Sequence, residues 1–411
     1  MNRELQLAFS NDVEPLVRRR IDYAFRVFCA VYGFTPSTDG PTLKYAGGYR
    51  LRPQSSPAPA PSWFGSFPCF HGLGKNGRPD WLAEIFEWLS AAHEFSIEKV
   101  DSVGRIPYVE TLHGRYGLDP LVPYAAIAMH ELDEEIGGTG PLSPWPGACV
   151  FATTHDLDFL PASLLSVAHR FVKDLGLALF LRSPLSIKRD TARRLLERER
   201  EHGIRSSWYV IARRGHRRDA TYRLRDRKVC ELLAQVAEVG VHGSYTSLET
   251  KGRLAGEYRT LDEAGYSAVG GRQHWLRYRN TESLMEEVCL AGGRYDCTFG
   301  YATRPGFRNG ACFPFPPYSF VTESAFPVLE LPLMIMDVTL NGDALAICRE
   351  LFSQAREFGW GGTSILWHDT TFGTEVGDIY WQIKEANDLW MPACELVETI
   401  WPRYTTAGLL P

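Results

Sequence analysis

The chain has 411 residues, 45% of them hydrophobic and 23% charged, with a formal net charge of −5. This is the make-up of an ordinary globular protein, long enough for two domains, and it gives no global reason to expect nucleic acid as a partner. No stretch reaches the roughly 18 apolar residues of a membrane-spanning helix, and MNRELQLAFSNDVEPLVRRR lacks an apolar core of signal-peptide length, so a cytoplasmic protein is expected.

Along the chain, RRRIDYAFRVFCAVYGF (18–34) carries helical spacing, with Ile21, Ala24, Phe25, Phe28 and Cys29 on one stripe. PQSSPAPAPS (53–62) reads as a loop, DWLAEIFEWLSAAHEF (80–95) as a second amphipathic helix, and GGTGPLSPWPG (137–147) as a domain boundary. From residue 148 onward, short β-type runs alternate with helical ones. ACVFATT (148–154) precedes SLLSVAHRFVKDLG (163–176), and SWYVIA (207–212) precedes KVCELLAQVAEVG (228–240). VGVHG (239–243) precedes 247–265, SAVGG (267–271) precedes 281–293, LELPLMIM (329–336) precedes 343–359, and SILWH (364–368) precedes 378–388. This alternation predicts a mostly parallel sheet, open or closed into a barrel. The nine cysteines are scattered singly with no CxxC pair, which predicts neither a disulfide framework nor a structural zinc site.

In parallel α/β proteins, chemistry gathers at the C-terminal ends of strands. Four predicted strands end in capable groups: His155, Asp156 and Asp158; His242; Arg272, Gln273 and His274; and His368 with Asp369. If these strands share a sheet, the groups converge on one rim. Two carboxylates two residues apart can divide roles, one binding a divalent metal and the other acting as a base. His242 can ligate the same ion, Arg272 can keep the base ionised and oriented, and His368 can protonate a leaving group.

With those residues named, the chain resembles the polysaccharide deacetylase family, the NodB-homology domain. THDLD (154–158) looks like the family's first motif, VGVHGSYTS (239–247) its second, GGRQHWLRY (270–278) its arginine motif and ILWHDT (365–370) its histidine motif. The stretches 295–315 and 329–340, and 77–107 before them, resemble a subgroup with an added N-terminal region. The resemblance implies a distorted (β/α) barrel over 147–411, preceded by a smaller mixed α/β N-terminal domain over 1–146. It implies hydrolysis of acetyl groups with one divalent metal, commonly Zn2+. Carried over, Asp156 is the general base, Asp158 and His242 are metal ligands, Arg272 orients the base and His368 is the general acid. His274 and Trp275 stand in the substrate-contacting part of the arginine motif, with a backbone N–H near Trp275 as an oxyanion donor. The chain departs from the family at Thr246, where a second ligating histidine is usual; either Thr246, Ser247, water, His155 or His274 completes the site, or no metal is bound, as in NodB-like relatives that lack the full triad.

ARRGHRRDATYRLRDRK (212–228) is strongly basic and follows a predicted strand, so it either grips a phosphate-bearing substrate or forms a solvated loop. Asp296, Tyr301 and Arg308 lie in an aromatic, glycine-rich loop; they line a substrate pocket or pack that loop onto the barrel. The expected activity is N-deacetylation of an acetamido sugar or a related small glycoconjugate. The alternatives are hydrolysis of another C–N bond, such as a cyclic amide, and a non-catalytic carbohydrate-binding protein.

Overall fold

The computed structural model describes residues 3–47, 49, 60–74, 76–158, 191–220 and 222–411. The helix expected over 163–176 and most of the loop expected over 53–62 lie outside the described residues. The first region holds β1 (Arg3–Phe9), β2 (Phe34–Pro36) and β3 (Thr42–Tyr45), which form a small parallel sheet ordered β2–β1–β3, and the hairpin of β4 (Ser62–Phe64) and β5 (Phe67–Cys69). Its main helix, Pro15–Tyr32, starts with proline at the first turn, where the missing N–H costs nothing, and ends at Gly33 in the left-handed region. Helix Trp81–Ser90 is capped by Asp80, whose side chain accepts from the amide of Ala83.

The remaining strands are β6 (Val150–Leu157), β7 (Ser207–Val210), β8 (Glu238–Gly243), β9 (Gly270–Gln273), β10 (Tyr295–Asp296), the pair β11 (Tyr318–Ser319) and β12 (Ser324–Ala325), β13 (Leu329–Glu330), β14 (Leu333–Met336), β15 (Gly361–Leu366) and β16 (Leu389–Met391). The large sheet is ordered β13–β10–β9–β8–β7–β6–β15–β14 and its pairings are parallel, with β16 added along the first half of β6. The two ends of that order are consecutive pieces of one stretch, 329–336. Within it the amide of Leu331 donates to Asp296 O, and Pro332 O accepts from the amide of Ser364. The sheet therefore curls until its edges meet on this segment, a barrel-type arrangement of the kind the alternating pattern predicts.

Alternation along the strands sorts their side chains into two apolar clusters. Phe151, Trp208, Val210, Val241 and Ile365 face outward beneath the helices. Ala152, Tyr209, Tyr295 and Cys297 fill the inside, together with residues of helix Ala393–Thr406. The glycines of β8 and β9 make room for the inner rings: a Cβ at Gly240 would lie 2.6 Å from Tyr209, and one at Gly270 would lie 2.3 Å from Tyr295. The first region packs directly on this half. Phe28, Trp88 and Leu112 belong to the same apolar cluster as Phe151 and Phe352, and the buried Arg20 forks onto Glu323 at 2.7 and 3.0 Å.

Candidate active site

Asp156 and Asp158 continue the inward face of β6, because i and i+2 share a face; His155 points the other way. The same rule puts Arg272 and His274 on one inward face of β9 and its extension, and Ser364 and His368 on that of β15. His242 and Arg272 are register partners across β8 and β9. Asp156, Asp158, His242, Arg272, His274 and His368 lie together at one rim, while His155 faces away from it toward Glu199.

Arg272 is fully buried and holds the base carboxylate: NH1 donates to Asp156 Oδ1 at 2.8 Å, NH2 to Thr154 Oγ1 at 2.9 Å and Nε to Cys297 O at 2.9 Å. Burial works against its charge, but Asp156 outweighs it and the guanidinium stays protonated. Around Asp158, His242 Nε2 and His274 Nε2 each lie 3.3 Å from Oδ1, and His368 Nε2 lies 3.8 Å from Oδ2. Burial pushes the Asp158 carboxyl up, while His274 and His242 pull it well below the usual range. His242 donates from Nδ1 to Arg272 O at 3.0 Å, which leaves the Nε2 lone pair facing Asp158.

One ligand atom each from Asp158, His242 and His274 falls within a sphere where all lie within 4.8 Å of one another. Two imidazole nitrogens and a carboxylate suit a divalent transition metal. Burial disfavours charge on His274, but Asp158 and Asp219 raise its pKa to about 9. His274 supplies the third atom of this donor group. Of the other candidates, Ser247 Oγ donates to Gln273 at 2.6 Å, and Thr246 Oγ1 is buried with no hydrogen bond among the described residues. His155 donates from Nδ1 to Trp367 O at 2.6 Å and pairs through Nε2 with Glu199 at 2.9 Å.

His368 Nδ1 lies 2.6 Å from Asp337 Oδ1, and Asp337 also accepts from the His368 amide and from Thr371 Oγ1. Burial opposes charge on His368, yet Asp337 raises its pKa to about 10. Asp337 was not singled out from sequence, although it follows β14 directly and obeys the same strand-end rule. Asp219, which lies 3.9 Å from His274 Nδ1, was hidden as an acid inside the basic stretch.

Trp275 (φ 65°) and Leu276 (φ 50°) are both left-handed, a conformation that costs a side chain roughly 1–2 kcal/mol each. The turn is held from the first region: Arg105 donates to Trp275 O at 2.8 Å, and Arg277 donates to Val103 O at 2.7 Å. The Trp275 indole is left 45% exposed on the rim. Asp296 and Arg308, expected to contact substrate, have internal partners instead. Arg308 is buried in a fork onto Glu94 at 2.9 and 3.0 Å, and Asp296 accepts from the Thr298 amide, its pKa raised to about 6 by burial. Of the two roles open to that loop, these contacts are those of packing.

No family model matches the chain, and no curated protein does. Among solved structures, it is similar to a protein from Mycobacterium smegmatis provisionally described as a polysaccharide deacetylase, at 16% identity over 64% of this chain and 94% of that one, with a TM-score of 0.42. A superposition that loose transfers neither fold nor function, and the side chains themselves are the ground for a functional reading. No helix among the described residues is long and apolar enough to cross a membrane.

Proposed function

We propose that the chain is a metal-dependent hydrolase of the polysaccharide deacetylase type, removing the N-acetyl group of an acetamido sugar or a related glycoconjugate. The observation that carries this reading is the meeting, on one rim, of three metal donors with a carboxylate held by arginine and a histidine held by aspartate. Asp158, His242 and His274 would hold the cation, zinc being well suited to two imidazoles and a carboxylate. When bound, it supplies Lewis-acid chemistry that lowers the pKa of water to about 7 in favourable sites. Asp156, held by Arg272, takes the proton of the attacking water. His368, kept protonated by Asp337, gives a proton to the departing amine nitrogen. Trp275, exposed beside His274, offers a flat apolar face for a sugar ring to stack on.

The test is metal content by mass spectrometry on protein purified without a metal-binding tag, beside acetate release from acetamido sugars. Near-stoichiometric metal is expected in the wild type and its loss in Asp158→Ala. His274→Ala is expected to weaken binding by about 10–100-fold. Asp156→Asn should keep the metal and lose about 10²–10⁴ in rate. A wild-type protein that stays empty after incubation with zinc would overturn the metal reading, and a loaded one that releases no acetate would overturn the deacetylase reading.

A further inference from the structure

The basic stretch that follows β7 has no part in the chemistry proposed above. It forms one wall of an open cleft of about 540 Å3 lined by Arg214, His216, Arg217 and Arg223, with Ile211 and Leu224 at its base. Among the described residues, no carboxylate lines the cleft. The two acids of the stretch are already committed: Asp219 accepts from the amides of Gly215, His216 and Tyr245, and Asp226 accepts from the amide of Arg223. Other arginines of the stretch have partners, as Arg213 has in Thr260 and Arg227 in Glu231. Arg217 and Arg223 are exposed and have no ion-pair partner among the described residues. Exposed guanidinium groups such as these are free to turn toward an anion in the cleft, and their planar forks match phosphate oxygens.

The cleft is joined to the candidate active site. Tyr222 OH donates to Leu157 O at 2.7 Å, next to Asp158, and accepts from the amide of Ile211 in the cleft wall at 3.0 Å. Asp219, which organises the Gly215–His216 turn, faces His274. Arg218, next in the chain to Arg217 of the cleft, lies over the rings of Tyr245 (4.9 Å) and Trp275 (5.4 Å), which links the basic stretch to the exposed indole. An anionic group seated against Arg217 and Arg223 would therefore lie on a surface tied to the candidate active site through Tyr222 and Asp219.

We propose that this cleft binds a phosphate or diphosphate group, and that the substrate is an acetamido sugar carrying one. The second clause rests on the deacetylase reading; the first does not. The test is isothermal titration of inorganic pyrophosphate, and separately of inorganic phosphate, into the full chain. The wild type is expected to bind pyrophosphate, more weakly as salt rises, with Arg217→Ala/Arg223→Ala losing about tenfold or more and Arg217→Lys/Arg223→Lys falling between the two, since lysine keeps the charge but not the fork. Binding should persist in Asp158→Ala, which separates the cleft from the metal donors. Pyrophosphate binding well above phosphate binding assigns a diphosphate, and equal binding a single phosphate. Absence of binding to the wild type, or equal binding by the double alanine variant, overturns the proposal. Pyrophosphate binding lost in that variant, without acetate release from any sugar, sinks the deacetylase reading and leaves the anion site standing. Acetate release without pyrophosphate binding does the reverse.

Discussion

Asp337 controls what His368 can do. Burial alone would strip the imidazole of its proton, but the adjacent carboxylate raises its pKa to about 10. The imidazolium, the form able to give a proton, therefore persists through neutral pH and is lost only as pH rises into the alkaline range. Asp337→Asn removes the charge that lifts this pKa while keeping a side chain of the same shape. The alkaline limb of kcat/KM is expected to move to lower pH, with a rate loss of about 10²-fold at alkaline pH. An unmoved limb would mean that His368 is not the acid. The same residue scale shows what was legible: Asp156, Asp158, His242, Arg272 and His368 stand out as polar groups ending apolar runs. Alternation also puts His274 on Arg272's face, but whether it meets substrate or metal depends on the distance from β9 to β6, which no local pattern contains.

At the scale of elements, the strands are held by what fills the space between them. Gly270 lets β9 approach Tyr295, whose hydroxyl donates to Glu238 at 2.6 Å and ties β10 to β8. Gly270→Ala is expected to lower stability by about 1–3 kcal/mol through overpacking, read as a shift in the urea midpoint; an unchanged midpoint would deny the close approach. The loop 297–317 is the second such filler. Arg308 meets Glu94, Tyr301 OH lies 2.7 Å from His113 Nδ1, and the amides of Ala125 and Ala126 donate to Gly310 O. Removing one partner of a buried pair strands the other, so Arg308→Ala should cost about 3–5 kcal/mol. KM of the protein that remains folded should be unchanged. A raised KM with intact stability would instead return Arg308 to the substrate.

At the scale of the whole molecule, one apolar cluster of the described residues runs through both the first region and the barrel. The helix Pro15–Tyr32 lies against the C-terminal helix, where Arg26 donates to Ala407 O at 2.8 Å, and the strap around Val103 and Arg105 reaches the turn that carries Trp275. Because the shared cluster spans both parts, urea unfolding is expected as one transition, with far-UV circular dichroism and tryptophan fluorescence coinciding. An early step that melts residues 3–146 alone would contradict this.

By itself the sequence determined the alternating α/β architecture, the parallel sheet and the candidates at the strand ends. Those follow from periodicity and from the chain's own short-range chemistry, which is set by neighbours two to four residues apart. Only the tertiary structure decided that the sheet closes on 329–336, that His274 joins Asp158 and His242, that Asp337 stands behind His368, and that Arg308 serves packing. Each of these is a contact between residues far apart in sequence, and its geometry is fixed by strand order and register rather than by the local pattern of either partner.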